Sequence, residues 1–257
     1  MDPREPLREL EWRLRNAWTW SPRARSPRRA RGEAFLSAFA GDAAVRLREL
    51  RGSFDLSRWP EACSRAELLE ALWLLDVLDR CVLSSGPLAP GLDIGSKNWS
   101  YLPALVAGLP GPWTGVELDA HRRYWNLTTR RAVAERRAAL FPGVRFAAGS
   151  VLAQRGEFGL VTWLLPFVRP RALRAWGLPA RFFEPERLLG HAWERVARGG
   201  LLFVVNQGAA EAEAQERLFR GAGVPARPMG RLSSCFPAYR AERFGWLARK
   251  EPARARA

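Results

Sequence analysis

The spacing of apolar residues changes character along the chain, and each change marks a new kind of element. Between positions 64 and 82, Leu68, Leu69, Leu72, Leu75, Leu78 and Val82 form the wide stripe of a helix that buries one side. Ser64-Arg65-Ala66-Glu67 ahead of it matches a capping box, in which serine and glutamate satisfy each other's free amides. A weaker helical period runs through Phe35, Phe39, Val45 and Leu47, and an amphipathic helix is predicted over residues 7–20. After Ser84-Ser85-Gly86-Pro87 the pattern becomes short apolar runs alternating with helical stretches. Strands are predicted at 92–94, 114–118, 144–147, 160–165 and 201–205, with helices at 101–107, 122–140 and 185–197. The tail breaks the alternation. A helix at 210–220 is followed by extended runs at 227–234 and 243–249, and in the second Phe244, Trp246 and Ala248 share one side.

Alternating strands and helices build a mostly parallel sheet with helices on both faces, and the two late runs read as a hairpin closing one edge. The expected fold class is therefore α/β: a doubly wound, mostly parallel seven-stranded sheet with a C-terminal antiparallel hairpin and an N-terminal helical extension. Three parts are expected: a basic N-terminal segment over 1–32, partly disordered, a helical cover over 33–86, and a ligand-binding sheet domain over 87–257. A length of 257 residues, 47% apolar, suffices for one sizeable core and an appendage. Residues 21–31 punctuate dense arginine with proline, which favours a mobile linker. No run of 18 apolar residues occurs and the arginine-rich N-terminus has no apolar leader, so the expectation is a cytoplasmic protein without a membrane span.

The formal net charge of +15 raises a polyanionic partner such as RNA, although a solvated basic surface is the simpler reading. Nearly all of that charge is arginine. Lysine occurs only as Lys97 and Lys250, which makes a lysine inside a glycine turn harder to treat as filler. Cys63, Cys81 and Cys235 are far apart with no C-x-x-C spacing, and His121 and His191 are the only histidines. A zinc site, a disulfide framework and a multi-histidine metal centre drop out, and a Ser-His-Asp nucleophile is disfavoured.

In an open α/β sheet, ligands sit beyond the carboxyl ends of the strands. The first candidate is the turn after the first sheet strand, Gly95-Ser96-Lys97-Asn98-Trp99-Ser100-Tyr101. Gly95 lets a ligand approach the backbone, and the following helix start offers free amides. The second is Glu117, 22 residues after Gly95, near the separation of about 20 expected for an acid that binds ribose hydroxyls. Asp119 is expected to cap the next helix. Ser150 and Val151 follow the third strand, where an adenine edge can be read. The run from Leu160 through Thr162 and Trp163 to Pro166 and Phe167 ends where a reacting group would face its acceptor. Two of the three tyrosines, Tyr101 and Tyr124, fall in this region.

The order Leu-Asp-Ile-Gly, Gly-Val-Glu-Leu-Asp, Gly-Ser-Val, and then Arg198-Gly199-Gly200-Leu201-Leu202-Phe203-Val204 resembles the successive motifs of class I S-adenosylmethionine-dependent methyltransferases, over residues 88–207. The resemblance implies S-adenosylmethionine as cofactor and methyl transfer to an unidentified acceptor, small molecule or macromolecule. It places Asp93 and Gly95 at the methionine part, Glu117 at the ribose, and Ser150 and Val151 at the adenine, with Ser96 and Thr162 in the cofactor set. Lys97, Asn98 and Tyr101 are expected to orient the acceptor or the cofactor carboxylate, with Trp99 and Phe167 walling the site. Three positions depart from the family pattern: Ser96-Lys97 where a second glycine is usual, Ser150 where an acid is common, and Gly159 in place of another acid. Two alternatives share these features. One is a nicotinamide-dependent oxidoreductase, disfavoured by the missing G-x-G-x-x-G; the other is a non-catalytic, RNA-associated binding module that uses the basic tail.

Overall fold

In the computed structural model, which describes residues 2–83 and 88–252, seven strands hydrogen-bond into one sheet. They are β1 (Gly91–Ile94), β2 (Trp113–Glu117), β3 (Val144–Ala148), β4 (Phe158–Leu164), β5 (Val196–Gln207), β6 (Ala226–Leu232) and β7 (Arg243–Arg249). Their order is β3-β2-β1-β4-β5-β7-β6. The first five pair in parallel, and β7 runs antiparallel to both β5 and β6. The doubly wound sheet with a reversed hairpin at its end is thus the expected fold. The pattern change at Ser84-Ser85-Gly86-Pro87 lies outside the described residues.

The period-two alternation of β5 explains why helices cover both faces. Leu201, Phe203 and Val205 point into one apolar cluster, Leu202 and Val204 into another. The first cluster holds α3 (Gly41–Ser53), α4 (Trp59–Ala62), α5 (Arg65–Cys81), α6 (Leu102–Gly108) and α7 (Arg130–Ala138). The second holds α9 (Pro185–Arg195) and α10 (Gly208–Gly221). Helix α5 is buried all round from Ala71 to Leu78 and starts at the foreseen capping box, with Ser64 N donating to Glu67 Oε2 at 2.8 Å. Two further helices, α1 (Glu5–Ala17) and α2 (Arg29–Ser37), precede this cover, and α8 (Pro170–Ala175) follows β4. Arg29 and Arg31, read with the linker, open α2, while Ser21 Oγ accepts from Thr129 N at 2.9 Å.

Helix α7 is shorter than the 122–140 expected, for a local reason. Asn126 Oδ1 accepts from both the amide and the hydroxyl of Thr128, and Leu127 takes φ 63°, so the chain turns instead of coiling. Thr129 then caps the helix by accepting from Ala132 N at 3.1 Å. Asp119 is not the cap. It is buried and ion-paired with Arg15, Arg122 and Arg130. No helix among the described residues is long and apolar enough to cross a membrane.

Candidate active site

The carboxyl ends of β1, β2, β3 and β4 open onto one cavity. Its floor is Ile94, Gly95, Lys97, Val116, Glu117, Gly149, Ser150 and Val151, and its far wall is Leu164, Leu165, Pro166 and Phe167. The cover comes from α8 and the chain after it, through Leu173, Trp176, Leu178 and Phe182. Leu165 takes φ 59° and turns the chain out of β4, which swings Phe167 to within 6.2 Å of the Trp176 ring centroid.

Glu117 is the polar centre of this largely apolar space. It is buried; Oε2 accepts from Lys97 N and Oε1 from Asp119 N, each at 2.8 Å, and Arg130 Nη1 lies 3.5 Å from Oε1. Burial raises its pKa, and the Arg130 guanidinium and the two amides oppose that rise. A carboxylate has about four acceptor positions, so lone pairs remain for a diol. Trp176 meets two cations, with Lys97 Nζ 5.1 Å and the Arg130 guanidinium carbon 5.0 Å from its ring centroid. Burial pushes the Lys97 ammonium below its usual range.

The glycine turn differs from a phosphate cradle. Gly95 has φ 71°, and its N–H and that of Ser96 both donate to Val116 O; Lys97 N is held by Glu117 and Trp99 N donates to Ser96 O. Helix α6 begins only at Leu102, with Leu102 N donating back to Trp99 O. These five amides are therefore already taken, and a pyrophosphate would find none of them.

A second, more polar chamber adjoins the first, sharing Lys97, Leu164 and Leu165 with it. Around them stand Glu70 and Trp73 of α5, Ser100, Tyr101, Tyr239 and Arg243. Glu70 Oε2 accepts from Ser100 Oγ at 2.6 Å. The Arg243 guanidinium lies 4.1 Å from the Tyr239 ring centroid, and its buried Nε has no hydrogen-bond partner. Burial lowers the pKa of Arg243 and raises that of the Tyr239 phenol.

Of the residues singled out in the sequence, Gly95, Lys97, Glu117, Ser150, Val151, Trp163, Pro166 and Phe167 line the cavity, and Lys97, Ser100 and Tyr101 line the polar chamber. Five others stand behind the wall. Asp93 is fully buried, accepting from Thr162 Oγ1 at 2.6 Å and Tyr101 Oη at 3.0 Å; parallel pairing of β1 with β4 sets Asp93 opposite Thr162. Ser96 is buried too, its Oγ without a partner. Asn98, expected beside the acceptor, faces the helical cover and donates to Glu67 Oε1 at 3.2 Å. Trp99 is a wall only from behind, packed on Gly115. Sequence reasoning missed Glu70, Arg130, Trp176, Tyr239 and Arg243. The third tyrosine, Tyr239, completes the chamber, while Tyr124 stays on an exposed turn. Its only signal in the sequence was rarity.

No protein-family model matches the chain, and no curated protein matches it in sequence. Solved structures do resemble it in fold. A magnesium protoporphyrin IX methyltransferase from Synechocystis with bound S-adenosylmethionine is 15% identical, aligns over 86% of this chain and 97% of its own, and gives a TM-score of 0.47. An amino pentose methyltransferase from Micromonospora echinaspora is 16% identical over 82% and 98%, with a TM-score of 0.48. An N-methyltransferase from Bradyrhizobium japonicum is 16% identical over 69% and 94%, with a TM-score of 0.47.

Proposed function

We propose that the chain is a class I S-adenosylmethionine-dependent methyltransferase that transfers a methyl group to an acceptor not yet identified. The observation that carries this reading is the alignment, along one sheet edge, of Glu117, the Ser150-Val151 turn, and a second chamber joined at Lys97. In the first cavity Glu117 would hold the ribose hydroxyls through its spare lone pairs, and Ser150, Val151 and Phe167 would bound the adenine beneath Trp176. Lys97, Glu70 and Arg243, a carboxylate and two cations, would suit the ammonium and carboxylate of the methionine end.

S-adenosylmethionine, when bound, supplies a methyl group already activated on a sulfonium, so the protein has little acid–base work to do. Residues of this chain contribute placement. Lys97, Leu164 and Leu165 line the junction through which donor and acceptor meet, and the Trp176 and Phe167 rings keep water from it. Tyr239 offers a hydroxyl to the chamber, while the Tyr101 hydroxyl is held by Asp93. An oxidoreductase reading is not supported, because the amides of Gly95, Ser96, Lys97 and Trp99 are already spent.

Calorimetric titration with S-adenosylmethionine, S-adenosylhomocysteine and NADH tests this directly. Both sulfur compounds are expected to bind and NADH is not; binding of NADH alone reverses the assignment. Glu117→Gln is expected to weaken S-adenosylhomocysteine roughly tenfold to a hundredfold, the scale of hydrogen bonds to a charged group.

A further inference from the structure

Helix α1 has its polarity inside out. Its inward positions, Glu5, Arg8, Glu9, Trp12 and Arg15, are engaged with the body of the protein or with one another. Glu5 accepts from Ala180 N, Glu9 pairs with Arg181 at 3.1 Å, Arg15 with Asp119 at 3.3 Å, and Trp12 packs on Phe182 with ring centroids 4.6 Å apart. Its outward stripe is Leu7, Leu10 and Leu14, exposed by 55%, 54% and 60%. An ordinary surface helix turns such a stripe inward.

The stripe continues past the helix. Trp18 and Trp20 are exposed, and Arg123 Nη2 donates to both their carbonyls, at 2.7 Å and 2.8 Å, while its Nη1 donates to Leu127 O at 3.1 Å. One guanidinium thus ties the end of the stripe to the 124–127 turn, which presents a fully exposed Trp125 beside the half-exposed Leu127. Among the described residues, every exposed large apolar side chain except Val45 belongs to these two segments. Scattered exposed leucines need no cause; a contiguous set does.

Positive charge flanks the patch. Residues 1–31 hold nine arginines against four acids. Arg4, Arg13, Arg23, Arg25, Arg28 and Arg31 are exposed and form no ion pair among the described residues.

We propose that this surface docks on an anionic lipid bilayer, the leucines and tryptophans entering the headgroup layer and the flanking arginines meeting lipid phosphates. The make-up of the patch selects that occupant. Two copies meeting through it would oppose two sets of unpaired arginines. Single-stranded nucleic acid stacks on tryptophan, but the leucine stripe offers a base no aromatic face. Since the inner side of α1 rests on Phe182, docking sets the cavity cover against the membrane surface.

Co-sedimentation of the full chain with phosphatidylcholine vesicles, and with vesicles containing about a quarter phosphatidylglycerol, provides the test. Binding is expected to the anionic vesicles only and to weaken with salt. The double variant Leu10→Asp, Leu14→Asp, and separately Trp125→Asp on the other segment, are each expected to weaken it by about tenfold or more, because apolar area leaves the interface. All three side chains are exposed, so melting temperature and S-adenosylhomocysteine binding are expected to stay unchanged. Absence of binding to anionic vesicles overturns the proposal, as does binding that ignores the leucine and Trp125 substitutions. A dimer dissolved by the leucine variant, or binding of an oligoribonucleotide in place of vesicles, assigns the patch to those partners instead.

Discussion

Asp93 shows what burial does to a motif residue. Burial pushes its pKa up to about 7, against the pull of hydrogen bonds from Thr162 and Tyr101. The unfolded chain ionises the same carboxyl near pH 4, roughly the ordinary value. Between these values the folded protein holds a proton that the unfolded chain has lost, so this group's stabilising contribution falls as pH rises from about 4 to about 7 and then levels off. Asp93→Asn is expected to remove that loss, so urea midpoints of the variant should gain on the parent across this window. A gap that stays constant with pH means that the buried carboxyl is ionised throughout. Gly159, where the family pattern has an acid, is set by space: a β-carbon there would lie 2.3 Å from the Leu88 carbonyl oxygen. Gly159→Ala is expected to cost about 1–3 kcal/mol by overpacking, read as a fall of several degrees in Tm. An unchanged Tm would show that the Leu88 backbone gives way freely.

At the scale of elements, one arginine joins the helical cover to the sheet. Arg137 of α7 is almost fully buried; it donates to Ala62 O at 2.8 Å, to Asn98 O and to Glu67 of α5. Glu67 also accepts from Ser64 N and Asn98, so the capping box, the glycine turn and α7 meet at one carboxylate. Arg137→Met leaves Glu67 without its cation and is expected to destabilise by roughly 3 kcal/mol, measured as a lower denaturant midpoint at unchanged slope. Adding Glu67→Gln should recover part of that loss; a purely additive double variant would argue against the pair. Asn98 illustrates the limit of local reading. Its place in the turn suggested contact with an acceptor, whereas its partner lies 31 residues away in sequence.

At the scale of the molecule, α3, α4 and α5 bury Leu47, Leu50, Trp59 and Leu72 in the same apolar cluster that receives Leu160, Phe203 and Leu247 from the sheet. A shared core makes separate melting costly. Calorimetry is therefore expected to show one transition with equal calorimetric and van't Hoff enthalpies. Two resolved peaks would mean that cover and sheet unfold independently.

The sequence by itself determined the elements and their class, because the spacing of apolar residues is a local property and strands alternating with helices admit few topologies. It also marked Gly95, Glu117 and Ser150 as cavity residues, since a ligand in this architecture meets the strand ends. Only the tertiary structure decided which polar groups face open space. Asp93, Asn98 and Thr162 are spent on one another or on the helical cover and Ser96 is buried, while Glu70, Tyr239 and Arg243, distant in sequence, close the chamber. Whether α1 buries its leucines or its charges was likewise beyond the pattern: a 3.6-residue period shows that a helix has two faces, and the partners across from it, Asp119, Arg181 and Phe182, choose between them.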